Sequence, residues 1–184
     1  MKEGSPTTIC LAYRVAGEGA ILACDGRIVD ADTNAIISDA DKKYVVCGST
    51  VVMIAGTFGK LFHKIATSPP KSFAGVRAAI DDHMDDDAEW LAYDKRKDRL
   101  YLDDIVLGRP IAGIGAGSPF GLGALEALPL ARSLDAAYKA VSIAMTIACR
   151  RNASCGGRVR MLTVPKRGAI KYGSPHTTKP RELG

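Results

Sequence analysis

Apolar residues run almost unbroken through residues 8–14 and 20–25, on either side of Ala16-Gly17-Glu18-Gly19, and predict two strands joined by a Gly-rich turn. Both faces of each strand are mostly apolar, so the sheet should be covered on two sides. Residues 43–47 and 51–55 predict a second pair that turns at Gly48-Ser49. Gly56 and Gly59 then break the pattern before Leu61, Phe62 and Ile65, a short helical stripe. Pro69-Pro70 is a stop. Ser72 can cap the next helix, in which Phe73, Val76, Ile80 and Met84 fall at helical spacing.

Residues 89–94 and 99–103 flank the polar turn Lys95-Arg96-Lys97-Asp98 and predict a hairpin. Residues 111–114 form a short strand leading into Gly115-Ala116-Gly117. Ser118 as cap and Pro119 at the first helical position then open a helix towards Leu128. Ser133 caps the longest helix, with Leu134, Tyr138, Val141, Met145 and Ala148 on one face. Residues 158–164 and 169–172 close the chain as strands. Strands and helices come in blocks rather than in βαβ alternation. That order predicts antiparallel sheets with helices on their outer faces, a layered α+β domain. No repeat or linker divides it.

Composition narrows the picture. The chain has 184 residues, enough for one domain with a proper core. No apolar run reaches the roughly 18 residues of a membrane helix. The opening MKEGSPTT lacks the apolar stretch of a secretory signal, so a soluble, cytoplasmic protein without a membrane partner is expected. Five cysteines (Cys10, Cys24, Cys47, Cys149 and Cys155) include no C-x-x-C pair, against a disulfide framework or zinc site. The net charge of +5 is scattered except for a basic group from Lys166 to Arg181, a solvated tail or subunit contact rather than a nucleic-acid surface. The acidic run Asp81 to Asp87 has adjacent carboxylates, not ones spaced for a metal, and is expected to be a solvated loop. His63, His83 and His176 lie too far apart to suggest a histidine triad. Trp90 and Tyr93 are expected in the core or at subunit contacts.

A threonine hydroxyl is a poor nucleophile until a base takes its proton. A threonine that begins a chain carries such a base in its own α-amine, of pKa about 8. That chemistry needs the threonine at the head of a strand, a cation beside it and a carboxylate to hold the cation. Thr7-Thr8-Ile9, Asp25-Gly26-Arg27 and Lys42-Lys43 supply these parts in order. Singly, each is also ordinary: strand propensity, a turn and a solvated strand end.

Together with Ala55-Gly56, these segments resemble the proteasome β-subunit family of N-terminal-nucleophile hydrolases. That family includes the smaller bacterial peptidase that partners an ATP-driven unfoldase. The stretch from Ile114 to Glu126 is similar to the family's Gly-rich turn and third helix, and Cys155-Gly156-Gly157 resembles its Ser-Gly-Gly. The resemblance covers roughly residues 7–172.

It implies a four-layer αββα sandwich, with residues 1–6 a leader, 7–173 the domain and 174–184 a tail. Thr7 would be the nucleophile and its freed amine the base. Asp25 would hold Lys43, or Lys42, which needs fewer gaps in the spacing. The N–H of Gly56 would form the oxyanion hole. The backbone around Ile28 and Val29 would pair with an extended peptide, and Ile54 would line an apolar pocket. Three positions depart from the family pattern: Ala116 and Cys155 replace serines, and Asn152 replaces an aspartate. Pro6 stands where the family usually has glycine, at the bond that self-cleavage or another protease must cut. The activity implied is that of a threonine endopeptidase without cofactor or metal. It would act on polypeptide inside a homo-oligomeric, double ring that an ATP-dependent unfoldase can feed. Helix faces carrying Leu122, Leu125, Val141 and Met145 would pack the rings. Pro6 and Ala116 favour a second reading, a catalytically silent ring subunit. A third is a small-molecule amidase of the same fold.

Overall fold

The structure, a computed structural model, describes residues 8–29, 35–56, 64–65, 67–83 and 88–174. One five-stranded antiparallel sheet has the order β10-β1-β2-β11-β12, built from β1 (Cys10–Val15), β2 (Gly19–Cys24), β10 (Ile111–Ile114), β11 (Arg160–Pro165) and β12 (Lys171–Gly173). The other runs β5-β6-β7-β8-β9, from β5 (Tyr44–Cys47), β6 (Thr50–Ala55), β7 (Glu89–Asp94), β8 (Arg99–Leu102) and β9 (Ile105–Val106). A third, two-stranded sheet pairs β3 (Ile28–Val29) with β4 (Ile36–Ser38). Three helices have both bounds within the described residues, α1 (Phe73–His83), α2 (Ser118–Ala127) and α3 (Leu134–Arg151). The chain is thus a mixed α+β protein of antiparallel sheets.

The unbroken apolar strands are explained by what covers each face. In β1, Leu11, Tyr13 and Val15 join the apolar cluster that holds Val141 and Met145 of α3 and Leu125 of α2. The alternate residues Cys10 and Ala12 join Met53, Leu91 and Tyr93 of the second sheet. A third cluster sets Val52, Ile54 and Trp90 of that sheet against Val76 and Ile80 of α1. Period-two alternation therefore survives, but with both directions dry.

Ser72 and Ser133 cap as expected, their hydroxyls accepting from Gly75 N at 3.2 Å and Ala136 N at 3.2 Å. Ser118 does not. It is the first residue of α2, and Gly117 holds the cap position without a side-chain bond. The strands β3, β4 and β9 escaped the sequence pattern because runs of two or three residues carry no periodicity.

Burial corrects one expectation about assembly. Leu125, Val141 and Met145 are buried inside the subunit, so they are not free for ring contacts, while Leu122 packs against them and stays partly exposed. The same two helices expose Phe120, Ile143 and Ile147 instead. Met84, Leu61 and Phe62 lie outside the described residues, as do His63 and His176; Ile65 is buried. Among the described residues, no helix is long and apolar enough to cross a membrane.

Candidate active site

The β1–β2 ladder continues one step past its strands, where Asp25 N donates to Ile9 O at 3.1 Å. This step sets Asp25 opposite Ile9, with Thr8 one residue further on, at one end of the sheet. Lys43 arrives from the other sheet, directly before β5, anchored by Ile54 N donating to its carbonyl at 3.1 Å.

Lys43 is only 1% exposed and Asp25 0%, a burial that two charges tolerate only as a bonded pair. The ammonium donates to Asp25 Oδ1 at 2.8 Å, to Thr8 Oγ1 at 2.8 Å and to the carbonyl of Arg27. An ammonium has three protons, and three acceptors surround it. Asp25 is equally engaged: Oδ1 also accepts from Ile9 N at 3.2 Å, and Oδ2 from Gly156 N at 2.9 Å. Burial pushes the Asp25 carboxyl up from the ordinary range, while the Lys43 ammonium and the two N–H groups pull it back.

Lys42 is separated from this centre. Its side chain is exposed, with Nζ lying 4.7 Å from the centroid of the Tyr44 ring. Of the two threonines, Thr8 is described and Thr7 lies outside the described residues. The carbonyl of Thr8 accepts from Gly117 N at 3.2 Å, so the Gly115-Ala116-Gly117 turn wraps the head of β1. That turn needs glycine. Gly115 has φ of +83°, and a Cβ there would sit 2.2 Å from the Thr8 carbonyl oxygen.

No family model matches this chain. Nor does any curated protein match it in sequence.

Gly56 directly follows β6 with φ of +100°, a left-handed conformation that suits glycine. Ile28 and Val29 pair through one strand edge with β4, Ile28 opposite Ser38 and Val29 opposite Ile36. Ile54 is wholly buried in the cluster beneath α1, which makes it a packing residue rather than an open pocket wall. Ala116 sits half-buried in the turn behind Thr8 and offers no hydroxyl. Asn152 ends α3, and its Oδ1 accepts from Ser154 N at 3.0 Å and Ser154 Oγ at 2.7 Å. The Cys155 thiol is buried, and that burial pushes its pKa up to about 12. A Cβ on Gly117 would meet its sulfur at 2.6 Å, so the thiol packs against the turn and is not poised as a nucleophile.

In the sequence Arg27 stands out only as part of the Asp25-Gly26-Arg27 motif, and Asp39 carries no signal. The guanidinium makes a two-pronged contact with Asp39, Nε to Oδ1 at 2.7 Å and Nη2 to Oδ2 at 3.2 Å. Its Nη1 donates to Ala153 O at 2.9 Å and Cys155 O at 3.4 Å. The carbonyl of the same residue accepts from Lys43. Arg27 thus ties the end of β2 to the segment before β5 and to the α3–β11 loop. No spacing rule could have found a contact between residues 126 positions apart.

The Arg27 hydrogen bonds hold the Asp39 carboxyl below the usual carboxylate range. A lowered acid contributes its stability above its unfolded pKa and loses it as pH falls through the folded one. The clamp is therefore complete near neutrality and weakens in acid. In a carboxyl-carbon NMR titration Asp39 should titrate below a free aspartate, and Arg27→Gln should move it back towards the ordinary value.

Chemically, the centre does one thing well. Thr8 Oγ1 accepts from Lys43, which leaves its own proton free for a base and puts a fixed positive charge beside any alkoxide that forms.

Proposed function

We propose that this chain is a threonine peptidase subunit of the N-terminal-nucleophile kind, with the Thr7-Thr8 pair supplying the nucleophile at the head of β1. The observation that carries the reading is the buried Lys43 ammonium held between Asp25 and a threonine hydroxyl. The order of the apolar clusters supports it: α2 and α3, one sheet, the other sheet, then α1, the succession of an αββα sandwich.

In this mechanism the threonine amine takes the hydroxyl proton, and the oxygen attacks the amide carbon of an extended peptide. Lys43 stabilises the oxygen as it loses its proton. The N–H at Gly56 receives the charge that develops on the substrate oxygen. The backbone of β3 holds the peptide through strand pairing. Leaving-group protonation and attack by water complete the cycle. Phe120, Ile143 and Ile147, on α2 and α3, are apolar positions offered to other subunits of a cytoplasmic ring, which an ATP-dependent unfoldase feeds.

Ala116 and Cys155 supply no oxygen donor to order the amine. A positioned acid or base contributes about 10²–10⁴-fold, so turnover should be slow. Ala116, with Pro6, favours a second reading, a ring subunit that keeps the architecture and lacks activity.

The test is hydrolysis of short apolar fluorogenic peptides and of unfolded polypeptide, with and without a peptide epoxyketone. Slow cleavage that the epoxyketone abolishes is the expected result. An assembled protein with a free threonine amine that neither cleaves peptide nor takes up the inhibitor would leave only the silent-subunit reading.

A further inference from the structure

Two adjacent threonines open β1, and the resemblance to known hydrolases points to the first. The geometry points to the second: Thr8 as the nucleophile, and the Thr7–Thr8 peptide bond as the bond cut to activate it. This assignment rests on the hydrolase reading above and fixes where that chemistry starts.

Three observations carry it. Lys43 has three protons, and Thr8 Oγ1, Asp25 Oδ1 and the Arg27 carbonyl take them all, which leaves none for another hydroxyl. Second, the register is pinned. Cys10 faces Cys24 across the ladder, and Ile9 is tied to Asp25 both by Asp25 N to Ile9 O at 3.1 Å and by Ile9 N to Oδ1 at 3.2 Å. A slip of one residue would exchange the two faces of β1, both of which are packed. Third, Thr8 is held from the far side by Gly117 N on its carbonyl and is 4% exposed, so its backbone cannot drift to let a neighbour take its place.

Thr8 Oγ1 attacks the carbonyl carbon of Thr7, forming a C–O bond as its proton leaves. The Thr7–Thr8 C–N bond breaks, and the Thr8 nitrogen takes up a proton to become a free amine. The preceding segment is then an ester on Oγ1. One water hydrolyses that ester, its hydroxyl going to the Thr7 carbonyl and its hydrogen back to Oγ1. No co-reactant besides water is needed. The obstacle of a Pro-Thr junction also disappears, because Pro6 lies one bond upstream of the cut.

The experiment is performed on the full chain. Intact mass and N-terminal sequencing identify the first residue of the mature protein, and peptide mapping locates an epoxyketone adduct. A mature chain that begins at Thr8 and carries the adduct there is the expected result. Thr8→Ala should leave the chain uncut. Thr8→Ser keeps a hydroxyl and should restore cutting at the same bond, which separates chemistry from misfolding. A chain that begins at Thr7 and is labelled there would overturn the assignment and spare the hydrolase reading. A chain that begins at Thr8 but neither takes the label nor cleaves peptide would keep the processing site and end the peptidase reading. An uncut, unlabelled wild-type chain would sink both.

Discussion

Lys43→Met should unfold at markedly lower urea concentration than the wild type at neutral pH, with a loss of about 3–5 kcal/mol, and should have no detectable amide hydrolysis. The substitution nearly preserves side-chain length, so packing is not the main loss. What it removes is the charge partner of a fully buried carboxylate. The loss carries a pH signature. Burial already raises the Asp25 carboxyl, and without the ammonium that pressure is unopposed by charge. An acid raised on folding costs stability as pH climbs from its unfolded pKa to its folded one, and costs nothing below both. The gap between variant and wild type should therefore narrow towards pH of about 4. Adding Asp25→Asn to Lys43→Met should return part of the stability and none of the activity. Lys42→Ala is the contrast: an exposed cation over a ring contributes about 0.5–1 kcal/mol, and its removal should leave hydrolysis intact. Equal damage from both lysine variants would contradict the placement of Lys43.

Gly115→Ala should be nearly as severe for a different reason. The left-handed backbone costs an L-residue about 1–2 kcal/mol. The added methyl would also overlap the Thr8 carbonyl oxygen and press on Ala55, whose Cβ would be 3.3 Å away. Overpacking of that kind adds about 1–3 kcal/mol. The total of about 2–5 kcal/mol should appear in thermal unfolding. Activity should fall further than stability accounts for, since moving a reacting atom by about 1 Å costs roughly 10²-fold. Gly17→Ala separates the two effects, because Gly17 has φ of +81° with nothing within 4 Å of a Cβ. It should show the backbone cost alone and leave hydrolysis unchanged. If Gly115→Ala behaves like Gly17→Ala, the turn does not hold Thr8.

The parts of this fold that were legible in the sequence are those whose signal is repeated. The long apolar strands, the caps at Ser72 and Ser133 and the turns at Gly48 and Lys95 each rest on several residues in a local pattern. The residues of the centre are different. Asp25 and Lys43 are 18 positions apart and meet only because two sheets lie against one another. Lys42 and Lys43 are the same residue type before the same strand, so composition could not choose between them; burial does. Thr7 and Thr8 pose the same problem, and there the β1–β2 register is what underlies the proposed choice of Thr8. Arg27 and Asp39 left no trace in the pattern, because two exposed charges twelve residues apart look like any solvated pair. Leu125, Val141 and Met145 misled in the opposite direction. An apolar helical stripe does not say whether it meets its own sheet or another chain, and here its own sheet takes it.

The encirclement of Lys43 has a consequence for how such a centre responds to its surroundings. A cation with every proton committed has nothing to renegotiate with water, salt or an arriving peptide. It behaves as part of the scaffold more than as a movable charge. Its position is decided when the two sheets close, and whatever binds afterwards finds the field already in place.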